Sequence, residues 1–296
     1  MRVVDLTNVL AGPYCSYQLV LLGAEVVKVE IPGRGDLARR LGADEELNRS
    51  LLGTSFLAQN AGKKSVELDL KTDEGREQLT HLLTGADVLL ENFRPGVLGR
   101  LGFSWDRLQE INERLVYCAI SGFGQTGPLR DRPAYDQIIQ GLSGMMSVTG
   151  TAETAPLRAG FPVCDTLGGL AAALAISAAI AGRARTGRGC QIDVSLLEVA
   201  ISAMGWVVSN FLATGVEPQP MANENFTAAP SGTFEAADGL LNIAANQQDQ
   251  FDALCRVVER PDLAADRRFR TAASRKEHRP ALKRELDAAL GARPAA

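Results

Sequence analysis

Asp165 is the residue with the clearest chemical potential. It is the only charge in the run Gly160-Phe-Pro-Val-Cys-Asp165-Thr-Leu-Gly-Gly-Leu-Ala-Ala-Ala-Leu-Ala-Ile-Ser-Ala-Ala-Ile180. A lone carboxylate at the head of an apolar, Ala-rich helix has two readings. As an N-cap it accepts hydrogen bonds from the first free backbone N–H groups, where the helix dipole keeps it ionised. The same surroundings suit a carboxylate that attacks an electrophile at neutral pH. The cap is the commoner use of such a position, and the two uses do not exclude each other. Cys164 is a second candidate nucleophile, but neither His81 nor His278 lies near it in sequence to activate it. Both histidines fall in polar helical stretches and read as solvated surface, so neither a zinc site nor a serine triad has a natural set of residues.

The five cysteines, Cys15, Cys118, Cys164, Cys190 and Cys255, are odd in number and lack metal-ligand spacing. They read as reduced, mostly buried thiols of a cytoplasmic protein, and no metal is expected. The chain of 296 residues is 46% hydrophobic and 22% charged, enough apolar material for one large domain or two smaller ones. A net charge of −4 argues against a nucleic-acid binder, which needs a basic face. The sequence opens directly on the strand-like Arg2-Val-Val-Asp-Leu6, which predicts no signal peptide. The Thr166 to Ile180 run is short and Gly/Ala-rich against the roughly 20 apolar residues of a membrane span, so it reads as a buried helix and no membrane partner is expected.

The elements that position these residues follow from periodicity. Apolar β-branched runs at Arg2–Leu6, Glu25–Glu30, Ser65–Leu70, Asp87–Phe93 and Leu115–Ser121 read as strands. Helical patterns at Tyr14–Leu22, Thr72–Leu83 and Ser104–Ile111, the last capped by Ser104, alternate with them. Such alternation implies βαβ crossovers, an α/β fold and a largely parallel sheet whose ligands bind beyond the carboxyl ends of the strands. The first βα loop, Thr7-Asn-Val-Leu-Ala-Gly-Pro13, and the acidic end of the second strand, Glu30, superficially match a dinucleotide site. The G-x-G-x-x-G turn is missing, since only Gly12 is present, and there is no phosphate-binding G-x-x-x-x-G-K-[ST] loop either. Basic residues nevertheless gather near strand ends: Arg39, Arg40, Lys63, Lys64, Lys71, Arg94 and Arg100. Such clusters are most often solvated surface, yet this distribution suits a multiply phosphorylated ligand with a pendant chain.

Six motifs then occur in a fixed order: Val4-Asp-Leu-Thr-Asn-Val-Leu-Ala-Gly-Pro-Tyr14, Leu22-Gly-Ala-Glu-Val-Val-Lys-Val-Glu30, Glu91-Asn-Phe-Arg-Pro-Gly-Val97, Ser121-Gly-Phe-Gly-Gln-Thr-Gly-Pro128, Pro133-Ala-Tyr-Asp136 and Arg185-Thr-Gly-Arg-Gly189. Together they resemble the class III CoA-transferases of the CaiB/BaiF and formyl-CoA transferase type. The resemblance spans the chain and thins after about Phe251. It implies a large Rossmann-like, parallel-sheet CoA-binding domain over residues 1–210, a linker at 211–225 and a partial, smaller α+β domain at 226–296, in an interlocked homodimer. It implies no permanently bound cofactor, with a coenzyme A thioester as substrate and a small carboxylic acid as acceptor. Asp165 falls on the family's nucleophilic aspartate, which passes through aspartyl-anhydride and aspartyl-CoA thioester intermediates.

The same resemblance implies that Leu68, Asp69, Leu70 and Lys71 run beside the adenine, and that Asn92, Phe93 and Arg94 line the pantetheine and phosphate path. Arg39 and Arg100 join as basic contacts, and the loop from Arg132 to Tyr135 lies next to the active site. Each also has a structural reading: Leu68 and Leu70 as core, Arg94 as a surface arginine and Tyr135 as a packing aromatic.

The fold also hosts 2-methylacyl-CoA racemases, which carry a histidine before the aspartate matching Asp136. Here that residue is Tyr135, and a phenol is a poor base at neutral pH, so transfer is favoured over racemisation. Leu10 and Ile31 replace a glutamine and an arginine of the oxalate-using enzymes, and the Met221 to Gly232 segment lacks their glycine flap. These departures point to another acid, such as succinate, malate, mesaconate or itaconate. Family members usually continue well past the position of Ala296. An incomplete small domain would expose apolar surface, and the remaining alternative is an inactive CoA-binding subunit that joins a paralogous chain in a hetero-oligomer.

Overall fold

Six short parallel strands, in the order β3-β2-β1-β4-β5-β6, form the sheet that the alternating pattern predicts. The structure is a computed structural model that describes residues 1–295. Along the chain the elements are β1 (Arg2–Asp5), α1 (Ala11–Leu21), β2 (Glu25–Glu30), α2 (Glu45–Arg49), α3 (Thr54–Asn60), β3 (Lys64–Glu67), α4 (Asp73–Thr84) and β4 (Val88–Glu91). There follow α5 (Val97–Arg100), α6 (Trp105–Ile111), β5 (Val116–Ser121), α7 (Asp136–Leu142), α8 (Val163–Thr186), β6 (Gln191–Ser195), α9 (Leu196–Ala203) and α10 (Gly205–Thr214). β3 and β4 stop short of their expected ends, because Leu68–Leu70 and Asn92–Phe93 turn out of the sheet to line a crevice. β6 escapes the periodicity argument: Gln191 and Asp193 interrupt its apolar residues, as an edge strand allows.

Successive strand residues point to opposite faces, and both faces are covered. Val3, Val26, Val88, Leu90, Val116, Cys118 and Ile120 pack with α1, α8 and α9 residues such as Leu19, Ala172, Ile176 and Ala200. Val4, Val29, Leu89, Tyr117 and Ala119 pack on the other side with Leu79, Leu83, Leu98 and Leu108 of α4, α5 and α6. This burial on both faces is why the strands read as continuous β-branched runs. The strand order matches that of dinucleotide-binding sheets, with its switch point between β1 and β4.

The close approach of α8 to α1 is set by Gly169. A Cβ there would lie 2.6 Å from the Ala11 carbonyl oxygen and 3.2 Å from the Cys15 amide nitrogen. Backbone cannot yield as a side chain does, so Gly169→Ala is expected to cost about 1–3 kcal/mol of stability in urea denaturation. Unchanged stability would show that the helices separate freely. The 24-residue α8 is longer than its Thr166–Ile180 core suggested, and by length and composition it meets the criteria for a membrane span. Its Gly168, Gly169, Ala172, Ala173 and Ile176 are nevertheless buried in the protein.

Two compact units emerge. One comprises Met1–Ser147 and Leu157–Pro218 and holds the whole parallel sheet. The other comprises Val148–Pro156 and the chain from Gln219 onward. The first unit therefore runs to Pro218, and α10 continues to Thr214, inside the stretch expected as linker, ending at left-handed Gly215. The second unit contains a hairpin of β7 (Ser231–Ala236) and β8 (Gly239–Ala244), followed by α11 (Gln248–Val257), α12 (Pro261–Ala265), α13 (Ala272–Glu277) and α14 (Arg279–Leu290). Phe234, Phe251, Phe269, Leu282 and Leu286 form its core. Buried Arg275 ties it together: the guanidinium donates to the Ala229 and Phe269 carbonyls and to Gln248, and lies 4.3 Å above the Phe251 ring.

Candidate active site

The turn after β1 is the first part of the site. Val9 has a φ of 70°, in the left-handed region that a dinucleotide-binding turn would give to glycine and that a β-branched residue disfavours. Its surroundings over-determine it. The Thr7 amide and hydroxyl donate to Asp5, the Asn8 amide donates to Asn92 Oδ1 (2.9 Å), and the Val9 amide donates to Asp36 Oδ1 (3.0 Å). Beneath lie two buried ion pairs, Lys63–Asp5 at 3.2 Å and Lys28–Asp36 at 2.9 Å. Burial opposes the Asp5 charge, yet Lys28, Lys63 and the hydroxyls of Ser16 and Thr7 hold the carboxyl below its usual range. Lys63, pushed down to about 8 chiefly by burial, is thus a structural cation and not a ligand contact.

A cavity of 460 Å³ opens at the carboxyl ends of β1 to β4. Leu68, Asp69, Leu70 and Lys71 line it together with Thr7, Ile31, Arg34 and Phe93. A second cavity of 210 Å³ is lined by Asn92, Phe93, Arg94, Arg130, Arg132 and Tyr135. Phe93 belongs to both, so the two form successive compartments over the same sheet edge. Three arginines and no carboxylate line the second, an environment for an anion.

Nine of the eleven expected contact residues therefore face one or other cavity; Arg39 and Arg100 line neither. The Arg39 guanidinium binds Glu30 through two bonds of 2.6 Å and lies 3.7 Å above the Phe56 ring. Burial opposes the Glu30 charge, but Arg39, Ser65 and the Asp36 amide bring its carboxyl down to about 2. Glu30 is accordingly committed to Arg39. Arg100 is exposed on α5. Asn92 exchanges two hydrogen bonds with the Asn8 backbone and so braces the β1 turn.

The second cavity ends at Tyr135, whose successor Asp136 leads to the candidate nucleophile. Asp165 is not the N-cap of α8: Pro162 occupies that position and Asp165 is the third helical residue. The capping carboxylate comes from elsewhere. Asp136 Oδ1 accepts from the Cys164 amide at 2.8 Å and the Asp165 amide at 3.3 Å, while Oδ2 accepts from Gln140 at 2.6 Å. This leaves the Asp165 carboxyl free of a capping duty. Burial, and then the charge of Asp136, push it up to about 7, so it ionises in the neutral range. A carboxylate of raised basicity is a better nucleophile than an ordinary one. Cys164 is fully buried and its thiol is pushed up to about 12, chiefly by burial, which removes it as a candidate.

Sequence reasoning missed Asp136 and Gln140 as functional residues. Their i, i+4 spacing at the head of one helix was the available signal. Asp136→Asn is expected to move the Asp165 titration to lower pH, readable by NMR of 13C-labelled aspartate. An unmoved midpoint would mean that burial alone sets it. Among the described residues no group of three or more His, Cys, Asp or Glu side chains is placed to hold a metal ion.

The profile of the CoA-transferase family III matches residues 1–296. The chain belongs to this family. The acetyl-CoA:oxalate CoA-transferase of Acetobacter aceti is 41% identical over 300 residues, covering 100% of this chain and 75% of that protein. The succinate–glutarate CoA-transferase of Agrobacterium fabrum is 37% identical, covering 94% and 70% respectively. A crystal structure of a CAIB/BAIF family protein from Brucella suis superposes with a TM-score of 0.85 at 36% identity, covering 99% of this chain and 78% of that one. This family III CoA-transferase thus shares the α/β fold that its motifs implied.

Proposed function

We propose that this CoA-transferase moves coenzyme A from an acyl-CoA donor to a small dicarboxylic acid through covalent intermediates on Asp165. The observation that carries the reading is the state of Asp165: unengaged as a cap, ionising near neutrality, and bonded through its amide to Asp136, whose neighbour Tyr135 lines the second cavity although Asp165 itself lines neither. The elongated ligand would lie with its adenine end among Leu68 to Lys71 and its phosphates near Arg94 and Arg132, with the pantetheine passing Asn92, Phe93 and Tyr135. Arg39 would act by holding the wall through Glu30. Arg100, outside both cavities, would serve an outer phosphate.

Each step moves one bond. Asp165 attacks the donor thioester carbonyl and expels CoA thiolate, giving a mixed anhydride. The thiolate attacks the aspartyl carbonyl, expels the donor acid and leaves an aspartyl-CoA thioester. The acceptor carboxylate attacks that thioester, again releasing thiolate, and the thiolate then attacks the acceptor acyl carbon to restore Asp165. No net proton is consumed, and exclusion of water keeps the thioester energy from hydrolysis.

Relatives named for oxalate, glutarate and mesaconate support the acid class. Leu10, the N-cap residue of α1 next to Val9, and exposed Ile31 favour an acid with an aliphatic span over oxalate. The racemase reading needs a base directly before Asp136, and the Tyr135 phenol there is a poor one at neutral pH, which supports transfer. Exposed Leu174, Trp206 and Leu212 on α8 and α10 supply the apolar surface that an interlocked second copy would cover. The test is liquid-chromatographic detection of new acyl-CoA products from acetyl-CoA or succinyl-CoA with oxalate, succinate, glutarate and mesaconate. Exchange of CoA onto a dicarboxylate supports the reading; hydrolysis alone, or α-proton exchange without transfer, would overturn it.

A further inference from the structure

The five residues Leu157–Phe161, just ahead of the α8 N-cap Pro162, are held by more bonds than a connection needs. Gln140, fully buried on α7, fixes this strap at two points: its Oε1 accepts from the Ala159 amide at 2.8 Å and its Nε2 donates to the Phe161 carbonyl at 3.3 Å. The Nε2 also donates to Asp136 at 2.6 Å, so the strap and the head of α8 share one anchor. The Leu157 amide is held by the Met146 carbonyl at 3.1 Å. What this fixed backbone presents outward is unusual: Leu157 is 44% and Phe161 54% exposed, with exposed Arg158 between them.

The Arg158 side chain makes no hydrogen bond or ion pair among the described residues, a state it shares with those of exposed Arg94, Arg100 and Arg132, but it alone of these lies on the segment bonded to Gln140 ahead of α8. A cation flanked by two apolar side chains, on a backbone pinned to the relay that caps Asp165, matches an acid with a methylene span and a second carboxylate. One carboxylate reacts. The other keeps its charge throughout and gains from a guanidinium that holds it bidentately.

We propose that Leu157–Phe161 is the acid-recognition strap of the site, with Arg158 the counter-ion of the unreacting carboxylate and Leu157 and Phe161 the contacts of its aliphatic span. This rests on the CoA-transfer reading above. Selection is then a difference of affinities: a monocarboxylic acid of the same length leaves Arg158 in water, and a dicarboxylic acid uses it.

The experiment compares kcat/KM for glutarate and butyrate as acceptors, with acetyl-CoA as donor so that the donor acyl group carries no second charge. Arg158→Met is expected to lower the glutarate-to-butyrate ratio about 10- to 100-fold, the range of a charge-assisted hydrogen bond, and Arg158→Lys to recover part of it. Equal losses on both acids would overturn the proposal in favour of a structural role. A loss confined to the KM for acetyl-CoA would overturn it in favour of a phosphate contact. Absence of transfer to any acid by the unaltered protein would instead overturn the transfer reading itself.

Discussion

Asp165→Asn is expected to lower CoA transfer at least about 10⁴-fold while raising the stability of the protein above neutral pH. The first effect follows from removing the nucleophile, which leaves only binding and positioning to act on the thioester. The second follows from the raised carboxyl. An unfolded aspartate loses its proton near pH 4, whereas folded Asp165 keeps it until about 7. Between those values the folded state binds more protons, so stability falls as pH rises through the window, and the full penalty remains above it. Asparagine carries no such penalty. The variant is expected to melt higher than the unaltered protein at pH 8, by an amount that vanishes towards pH 4. The same titration predicts that kcat/KM rises with pH to a plateau above about 7. A variant less stable at pH 8 would show that Asp165 is a structural cap after all.

Asp5→Ala is expected to cost about 3–5 kcal/mol at pH 7, the consequence of leaving Lys63 buried without its partner. Asp5 is fully buried and also receives hydrogen bonds from Thr7 and Ser16, so alanine leaves several polar groups unsatisfied. That is a large part of the 5–15 kcal/mol by which domains are stable. Because folded Asp5 lies below its ordinary value, its contribution is present above about pH 4 and lost as pH falls through the folded value. Urea denaturation at pH 7 checks the magnitude. A loss under about 1 kcal/mol would mean that water replaces the pair. The variant should also weaken acyl-CoA binding, since Asp5 fixes Thr7 in the turn that carries Val9 and the cavity wall.

The sheet was legible because its physics is local. Val3 and Val4, Val26 and Val29, and Leu90 and Leu89 are buried on the two opposite faces, and that doubles the apolar signal in each strand. A crevice beyond those strands was legible by position, because parallel sheets place ligands at the carboxyl ends, whereas Leu68–Lys71 and Asn92–Arg94, which line it, were named by the family resemblance. The role of Asp165 within its helix was not. Its run of small residues reads equally well with a cap at Asp165, and Asp136 takes that duty only once α7 docks against α8. The ion pairs of the basic side chains were hidden for a related reason. Arg39 and Lys63 look in sequence like free cations, but Glu30, at the end of β2, and Asp5, far along the chain on β1, bind them.

Mass spectrometry of the intact protein after incubation with acetyl-CoA or succinyl-CoA, followed by peptide mapping, tests the covalent role of Asp165 most directly. An acyl or CoA adduct is expected on the peptide containing Asp165, abolished in Asp165→Asn and formed faster as pH rises through about 7. Transfer of CoA between acids with no adduct at Asp165, or with an adduct that survives Asp165→Asn, would contradict it.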